Sequence, residues 1–475
     1  MNEIDKKIKE NFPDESVYKT PKRYNIFLGK NIPSFIKDWL IRKFSDETGE
    51  LDEIGLINFL DNHIPKKGSK LKGRLVSDHE DITILARIVI EPDIKLGILK
   101  FAIPDLGIKI NEGIVPHNIV QEHPELKGGE VWGVVTLRYF PPDEGLGRIE
   151  IIDYKPFKPY DVDLEYFREI RQKFTLSEWI DLLIRSMEYN PEGFKSLEQK
   201  LEFISRLLIF VEPRLNLIEL APKGTGKSYV FGNLSKYGWH VSGGVVTRAK
   251  LFYDIQKNML GMIVGHDFVA MDEIQTISLK PESEVIGALK NYLESGVFTV
   301  ANIKQTSQAG FILLGNIPLN SFMRPKDIKY MKELPHFFKE SALLDRFHGF
   351  IEGWLLPRMQ EDLKVRGYTL NVEYFSEILH SLRDKTDFSY IVGEMLDIPK
   401  NADTRDTNAV KRLSTAYLKL LFPHVKNPTD INKMDFNTFC LEPSLKKRGI
   451  IKKQISIIDD EFDPQLPNIK VKDYF

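Results

Sequence analysis

The chain of 475 residues holds a single cysteine, Cys440. An internal disulfide and a multi-cysteine zinc site are therefore excluded, and a cytoplasmic location is the simplest expectation. Its ten histidines form no close-spaced pair of the kind that ligates a metal from one helix face. His266 and His348 are accordingly read as loop or packing residues. No uninterrupted apolar run approaches the length of a membrane span, and the opening stretch MNEIDKKIKENF is a charged helix rather than a signal peptide. Charge of one sign is also lacking: 66 basic residues face 68 acidic ones, for a formal net charge of −2. That balance neither excludes nor requires nucleic acid, because a ring can be basic within and acidic outside. With 42% hydrophobic residues the chain is globular, and its length calls for two or three domains.

Residues 215–228 read LNLIELAPKGTGKS, a short apolar run followed by a glycine-rich turn. Leu217, Ile218 and Leu220 suit a buried parallel strand. The spacing is close to a P-loop, in which backbone N–H groups close on the β-phosphate, Lys227 reaches the β/γ-phosphates and the Ser228 hydroxyl serves Mg²⁺. Ala221 stands where that pattern has glycine, while Gly224 and Gly226 remain at the tight part of the loop. Ala221, Gly224, Thr225, Gly226, Lys227 and Ser228 are thus the expected ATP-binding set.

Residues 267–273, DFVAMDE, form a second apolar strand ending in two acids, with Asp272 placed 45 positions after Lys227. Adjacent carboxylates at a strand end need a cation or a proton to handle, so Asp272 is assigned to the Mg²⁺ shell with Ser228, and Glu273 to polarising the attacking water. A third strand, Phe311–Leu314, runs into Gly315 and Asn316, whose amide suits holding that water. In ALLDRFHGF the guanidinium of Arg346 has the charge and planarity that a transferring phosphoryl group requires. Together these segments read as an AAA+ ATPase core of α/β class.

The flanking regions read differently. Residues 1–65 look helical, with Ile36, Trp39, Leu40 and Phe44 at helical spacing. Residues 66–157 turn to short β-like segments, ITILARIVIE, IKLGILKFAI, EVWGVVTLRYF and GRIEIIDY, which suit a small OB-like β-barrel. Pro156 and Pro159 mark a linker to the ATPase core at 158–356. Thr175 with Glu178, and Ser196 with Gln199, have capping-box spacing before apolar runs. A helical lid is expected at 357–425, followed by a tail at 426–475 whose proline-broken end is expected to be poorly packed or to dock on a neighbour.

SALLDRFHGFIEGW resembles the arginine-finger segment of minichromosome-maintenance helicases, and RDTNAVKRLSTAYLKLLFP resembles their sensor-2 helix, which implies a catalytic role for Arg405. FTLSEWIDLLIRS, LNLIELAPKGTGKS, HVSGGVVTRAKLFYD and FVAMDE resemble the BrxL family more closely. These are Lon-related ATPases of BREX phage-defence systems. Many of them also carry a Lon-like protease domain with a Ser-Lys dyad. The present sequence stops soon after the lid at Phe475, so no proteolytic activity is expected of it.

The resemblance implies an ATP-driven hexameric ring, single or stacked as a double hexamer, acting as a helicase-like translocase on double-stranded DNA alongside other defence proteins. The hairpin in SGVFTVANIKQTSQAGFILLGN is similar to a pore hairpin of the helicases, with Lys304 near its tip. Arg248 and Lys250 in SGGVVTRAK are further candidates for phosphate contact, as are Lys66 and Lys67 in the basic run that continues through Lys70, Lys72 and Arg74. Two other readings remain open at this point: an ATP-gated DNA clamp or scaffold, and an ATP-dependent protein remodeller.

Overall fold

The computed structural model describes residues 2–473 except 31, 47–48, 66–69, 94–95, 125, 127–129, 143–146, 255–258 and 301–302. It divides into two compact units. One comprises Lys22–Asp161 and Phe252–Gly261, the other Met1–Pro21, Val162–Leu251 and Met262–Phe475.

The first unit is built on a closed barrel of five strands, β1 (Ile82–Asp93), β2 (Ile98–Ile103), β3 (Ile108–Val115), β4 (Glu130–Phe140) and β5 (Arg148–Pro156), in the order β1-β2-β3-β5-β4. Alternation along β1 turns Ile82, Ile84, Ala86, Ile88 and Ile90 inward, where they meet Phe101, Ile103, Val135, Leu137 and Ile151. Strand β3 has no counterpart among the segments expected from the sequence. Its Asn111-Glu112-Gly113 triplet looks like a turn, yet a Cβ on Gly113 would lie 2.4 Å from the Phe101 carbonyl. Glycine is required there because two backbones approach closely inside a strand.

The second unit centres on a parallel sheet of β6 (Asn216–Ala221), β7 (Gly238–Thr247), β8 (Phe268–Lys280), β11 (Gly310–Asn316) and β12 (Gly349–Glu352), in the order β12-β6-β11-β8-β7. Strands β9 (Val297–Val300) and β10 (Ile303–Thr306) form a separate antiparallel hairpin. Every residue of β6 is buried, as expected of a central strand covered on both faces. This is a mixed α/β architecture consistent with an AAA+-type ATPase domain. Helix α1 (Leu176–Ser186) opens on a complete Thr175/Glu178 capping box. Ser196 caps its helix through the Gln199 N–H at 3.2 Å, but Gln199 turns its side chain to the Lys195 N–H instead. Helix α2 (Lys227–Asn233) follows β6, and α3 (Glu282–Ser295) follows β8. After the one-turn helix α4 (Ser341–Leu344) come α5 (Val372–Arg383), α6 (Asp387–Met395), α7 (Thr404–Leu421) and α8 (Glu442–Ser456).

Both termini pack into this second unit. Helix Glu3–Asn11 places Asp5 2.7 Å from Arg185, and strand Ser16–Lys19 pairs with Gly367–Leu370. The helical stretch expected over 1–65 is therefore divided between the two units. Within the C-terminal tail α8 buries Lys447, Arg448, Ile451 and Ile455, and beyond it Lys470–Val471 pairs with Leu396–Asp397 while Ile469 and Val471 are buried. The basic character of α8 hides a packed face, because the lysines and arginine find buried carboxylates.

Candidate nucleotide site

The turn between β6 and α2 takes its shape from two glycines with positive φ, Gly224 at 84° and Gly226 at 75°, a conformation that costs a side-chain-bearing residue energy. Gly226 is also pressed from below, since a Cβ there would lie 1.7 Å from the Tyr189 hydroxyl. The missing glycine at Ala221 is compensated in space. A Cβ on Gly353, just past β12, would meet the Ala221 methyl at 2.3 Å, so the small residue has moved to the neighbouring chain segment. Beneath the loop lies a fully buried ion pair, Arg206 with Glu219, in bidentate contact at 3.0 and 2.5 Å. Arg206 also donates to the Thr225 carbonyl at 2.9 Å, tying the loop to β6. The sequence reading missed this pair, although a glutamate inside the apolar run LNLIELA signalled a buried partner.

Lys227 is buried at 7% exposure, and its ammonium reaches the carbonyls of Ala221 and Pro222 and the Asn316 side-chain oxygen, each at 3.4 Å. These contacts are long for hydrogen bonds. Burial pushes the lysine pKa below its ordinary value. A buried, loosely held cation in a loop shaped by glycines fits a phosphate ligand.

Strand β8 delivers the two acids and then breaks register between Asp272 and Ile277. Glu273 sits in the break at φ 49°, exposed, with its N–H on Asp272 Oδ1 at 2.7 Å and its carbonyl accepting from Thr276 Oγ1 at 2.9 Å. The bulge swings Glu273 out of the sheet while Asp272 stays buried beneath it. Asp272 Oδ2 accepts from Ser228 Oγ and lies 3.1 Å from His240 Nε2. Burial alone would raise the Asp272 pKa, but hydrogen bonds from His240, Ser228 and the Glu273 N–H hold it below the usual carboxylate range. An ionised carboxylate touching a serine hydroxyl at the foot of a phosphate loop fits the donor set for Mg²⁺. Among the described residues no group of three His, Cys, Asp or Glu side chains forms a metal cage. Asn316 ends β11 opposite Ala221, and Gln275 clasps its backbone, donating to the carbonyl at 2.9 Å. His240 and Gln275 were not legible from the sequence, lying 32 and 41 positions from their partners.

Arg346 and Arg405 come together, but apart from these residues. Arg346 Nη1 donates to the Ala342 carbonyl, and its Nε lies 3.1 Å from Glu294 Oε2. Arg405, in the first turn of α7, reaches the same Glu294 oxygen at 3.2 Å and Asp345 Oδ2 at 2.9 Å. The cleft around them is also lined by Arg214 and Arg412. The Arg346 carbonyl accepts from Asn216 Nδ2 at 3.3 Å, and the His348 N–H donates to the Asn216 carbonyl at 2.8 Å. Both arginines thus sit by the first residue of β6, whereas the phosphate loop leaves its last residue, about 17 Å away along the strand. His348 is a packing residue: half-buried, it accepts the Asn216 N–H at 2.9 Å, and desolvation drives its pKa well down.

The DNA candidates divide. Lys304 is exposed on β10, paired across the hairpin with Thr299. Arg248 is exposed and donates to the Thr299 carbonyl at 2.7 Å, so these two bases, 56 positions apart in the chain, share one surface. Lys250 is exposed nearby in the same short helix. Lys66 and Lys67 lie outside the described residues. Further along that basic run, Lys72 donates to the Gly107 carbonyl at 2.7 Å and to Glu112 at 2.9 Å, and Arg74 forks onto Glu80. Those two cations are neutralised within the chain.

Residues 149–467 match the family described as Lon-like protease BrxL-like, ATPase domain, and residues 10–139 match BREX system Lon protease-like protein BrxL N-terminal. The chain is 28% identical over 434 residues to the Lon-like protease BrxL of Escherichia coli O9:H4 (strain HS), covering 90% of this chain and 61% of that protein. It is also 28% identical over 433 residues to the Lon-like protease BrxL of Bacillus cereus (strain H3081.97), covering 89% and 63% respectively. A more distant match, 23% identical over 218 residues, is Uncharacterized protein 440 of Sulfolobus islandicus rod-shaped virus 1, covering 42% of this chain and 48% of that protein. The chain therefore spans less than two thirds of the length of the curated relatives it matches.

Proposed function

The chain belongs to the BrxL-like ATPase family, and from that premise we propose that it works as an ATP-hydrolysing ring in BREX anti-phage defence, encircling and moving along double-stranded DNA. The observation that carries the reading is the division of the site. The phosphate loop with Glu273 and Asn316 stands at one end of β6, and Arg346 with Arg405 at the other. Neither half is complete for phosphoryl transfer without the other, and one rigid strand keeps them apart, so each chain's arginines serve the nucleotide of a neighbour. Such head-to-tail contacts are heterologous and form a ring where the rotation closes, a hexamer in our reading.

Within each shared site the loop N–H groups and Lys227 bind the β- and γ-phosphates. Ser228 and Asp272 hold Mg²⁺, which neutralises developing phosphate charge when bound. Glu273, swung out by the bulge, takes up the proton of the attacking water, and Asn316 orients that water. The neighbour's Arg346 and Arg405 leave Glu294 for the transferring phosphoryl group, exchanging one anion for another. We assign DNA contact to the five-stranded barrel, whose order suits an OB-like fold, and, within the other unit, to the Arg248–Lys304 surface. Contacts of this type bind phosphates without reading bases.

The test is ATP turnover measured alone, with duplex DNA, and with an unfolded protein. Stimulation by duplex supports the motor. Stimulation by unfolded protein alone would identify a remodeller. DNA retention without any effect on turnover would identify a clamp.

A further inference from the structure

We propose that Arg448, in helix α8, is a positioning residue that sets both Arg346 and Arg405 toward the neighbour's nucleotide. The inference rests on the shared-site reading above and extends it to a C-terminal segment from which no site residue had been drawn. Arg448 is 1% exposed. Its Nη1 donates to the carbonyls of Asp345 at 2.9 Å and Phe347 at 2.8 Å, the residues on either side of Arg346. Nη2 reaches Asp345 Oδ1 at 2.5 Å, and Nε reaches Asp406 Oδ1 at 2.8 Å. The other oxygen of Asp345 accepts from Arg405, and Asp406 directly follows Arg405 in the chain. One planar guanidinium therefore spans the peptide units that flank one arginine and the carboxylates that hold or adjoin the other.

The rest of α8 and its C-terminal continuation bond α7, the segment Ile328–Tyr330 and the first residue of α4. Lys452 donates to Asp406 Oδ2 at 2.5 Å, Gln454 bonds the Tyr330 N–H and the Ile328 carbonyl at 2.6 and 2.7 Å, and Asp459 accepts from Ser341 Oγ at 2.6 Å. Stability alone does not call for such a cluster, because apolar side chains of similar volume pack as well or better than buried ions. What a rigid fork adds is register between two segments that must present two cations to one phosphoryl group. Small misplacements of such groups are costly to rate.

The test uses the full chain with Arg448→Lys, which keeps the charge but replaces the fork by a point donor. The expected result is a kcat for ATP lowered at least about tenfold, short of the roughly thousandfold loss when an arginine finger is removed. KM and the affinity for a fluorescent ATP analogue should stay within about twofold, since the chain's own phosphate loop is untouched. Mixing Arg448→Lys with Lys227→Ala chains should raise turnover above the sum of the two alone, because the second variant supplies well-placed arginines to intact loops. Mixing with Arg346→Ala chains should give no such gain. A wild-type kcat in Arg448→Lys, or a lowered kcat without gain on mixing with Lys227→Ala, overturns the proposal. If Arg346→Ala mixed with Lys227→Ala also shows no gain, the shared-site reading has fallen instead. Should thermal melting show Arg448→Lys unfolded, Lys452→Met carries the test by the same two readouts, and an unchanged kcat there counts against the proposal equally.

Discussion

At the last residue of β6 the buried Lys227 ammonium is held by three contacts that all measure 3.4 Å, whereas at the first residue of the same strand the arginines are closely paired. Arg346 and Arg405 lie 3.1 and 3.2 Å from one Glu294 oxygen, Arg405 lies 2.9 Å from Asp345, and Arg214 donates to the Glu294 carbonyl at 2.7 Å. The contrast is one between a receiving end and a delivering end. A loosely held cation in a preformed loop is ready for an anion, and binding then costs little reorganisation. Cations already resting on a carboxylate are protected from wrong partners, and they move only when a phosphate offers more than Glu294 does. Glu294 also lies in the last turn of α3, three residues before the β9–β10 hairpin that carries Lys304. In the proposed shared site, release of the arginines from Glu294 would be a physical route by which a neighbour's nucleotide state reaches the candidate DNA surface.

The largest effect is expected from Glu273→Gln at the receiving end. An amide keeps the shape but cannot take the water's proton, so turnover should fall by roughly 10²–10⁴ while nucleotide affinity is retained. Measured turnover near the wild-type rate would remove Glu273 from the chemistry. An intermediate effect should follow from Arg206→Met, which strands the buried Glu219 charge under the loop. Breaking such a pair from one side costs about 3–5 kcal/mol, read as a lower denaturation midpoint together with weaker ATP binding. Replacing both partners, as Arg206→Met with Glu219→Leu, should recover much of the stability but not the ATP affinity. Recovery of both would mean that the pair does not shape the loop. The smallest effect on turnover is expected from Lys304→Ala. ATP hydrolysis without DNA should be unchanged, while the dependence of duplex affinity on salt becomes shallower by roughly one unit for each phosphate that the lysine no longer neutralises. An unaltered slope would move the DNA-binding role to Arg248 and Lys250.

The receiving end was legible in the sequence because it is local. A strand, two turn glycines, Lys227 and Ser228 follow one another, and Asp272-Glu273 announces itself at the end of an apolar run. What supports those residues was not legible, since Arg206 and Glu219, His240 and Asp272, and Gln275 and Asn316 meet only through the fold. The delivering end was half legible. Arg346 stood out for its apolar surroundings, but Glu294, Asp345 and Arg448 approach it from 52, 1 and 102 positions away. The packed face of α8 was not legible in the run LKKRGIIKKQ, because a helix that buries charge against acids has the composition of one that exposes it. In the barrel, Asn111-Glu112-Gly113 hid β3 behind turn chemistry that a close backbone approach required. Further along the basic run, composition also did not show that Lys72 and Arg74 have acidic partners 40 and 6 positions away.

The central claim is that one chain's arginines complete the nucleotide site of another, and the most direct measurement is ATP turnover in mixtures of Lys227→Ala and Arg346→Ala chains. Each variant alone should be nearly inactive, the first for want of bound nucleotide and the second for want of the charge that stabilises phosphoryl transfer, a factor of roughly 10³ or more. The account predicts that mixing restores turnover well above the sum of the parts, with a maximum near equal proportions, because some interfaces then join an intact loop to an intact Arg346. Turnover that stays at the sum of the two parts at every ratio, in mixtures shown to co-assemble, would contradict it.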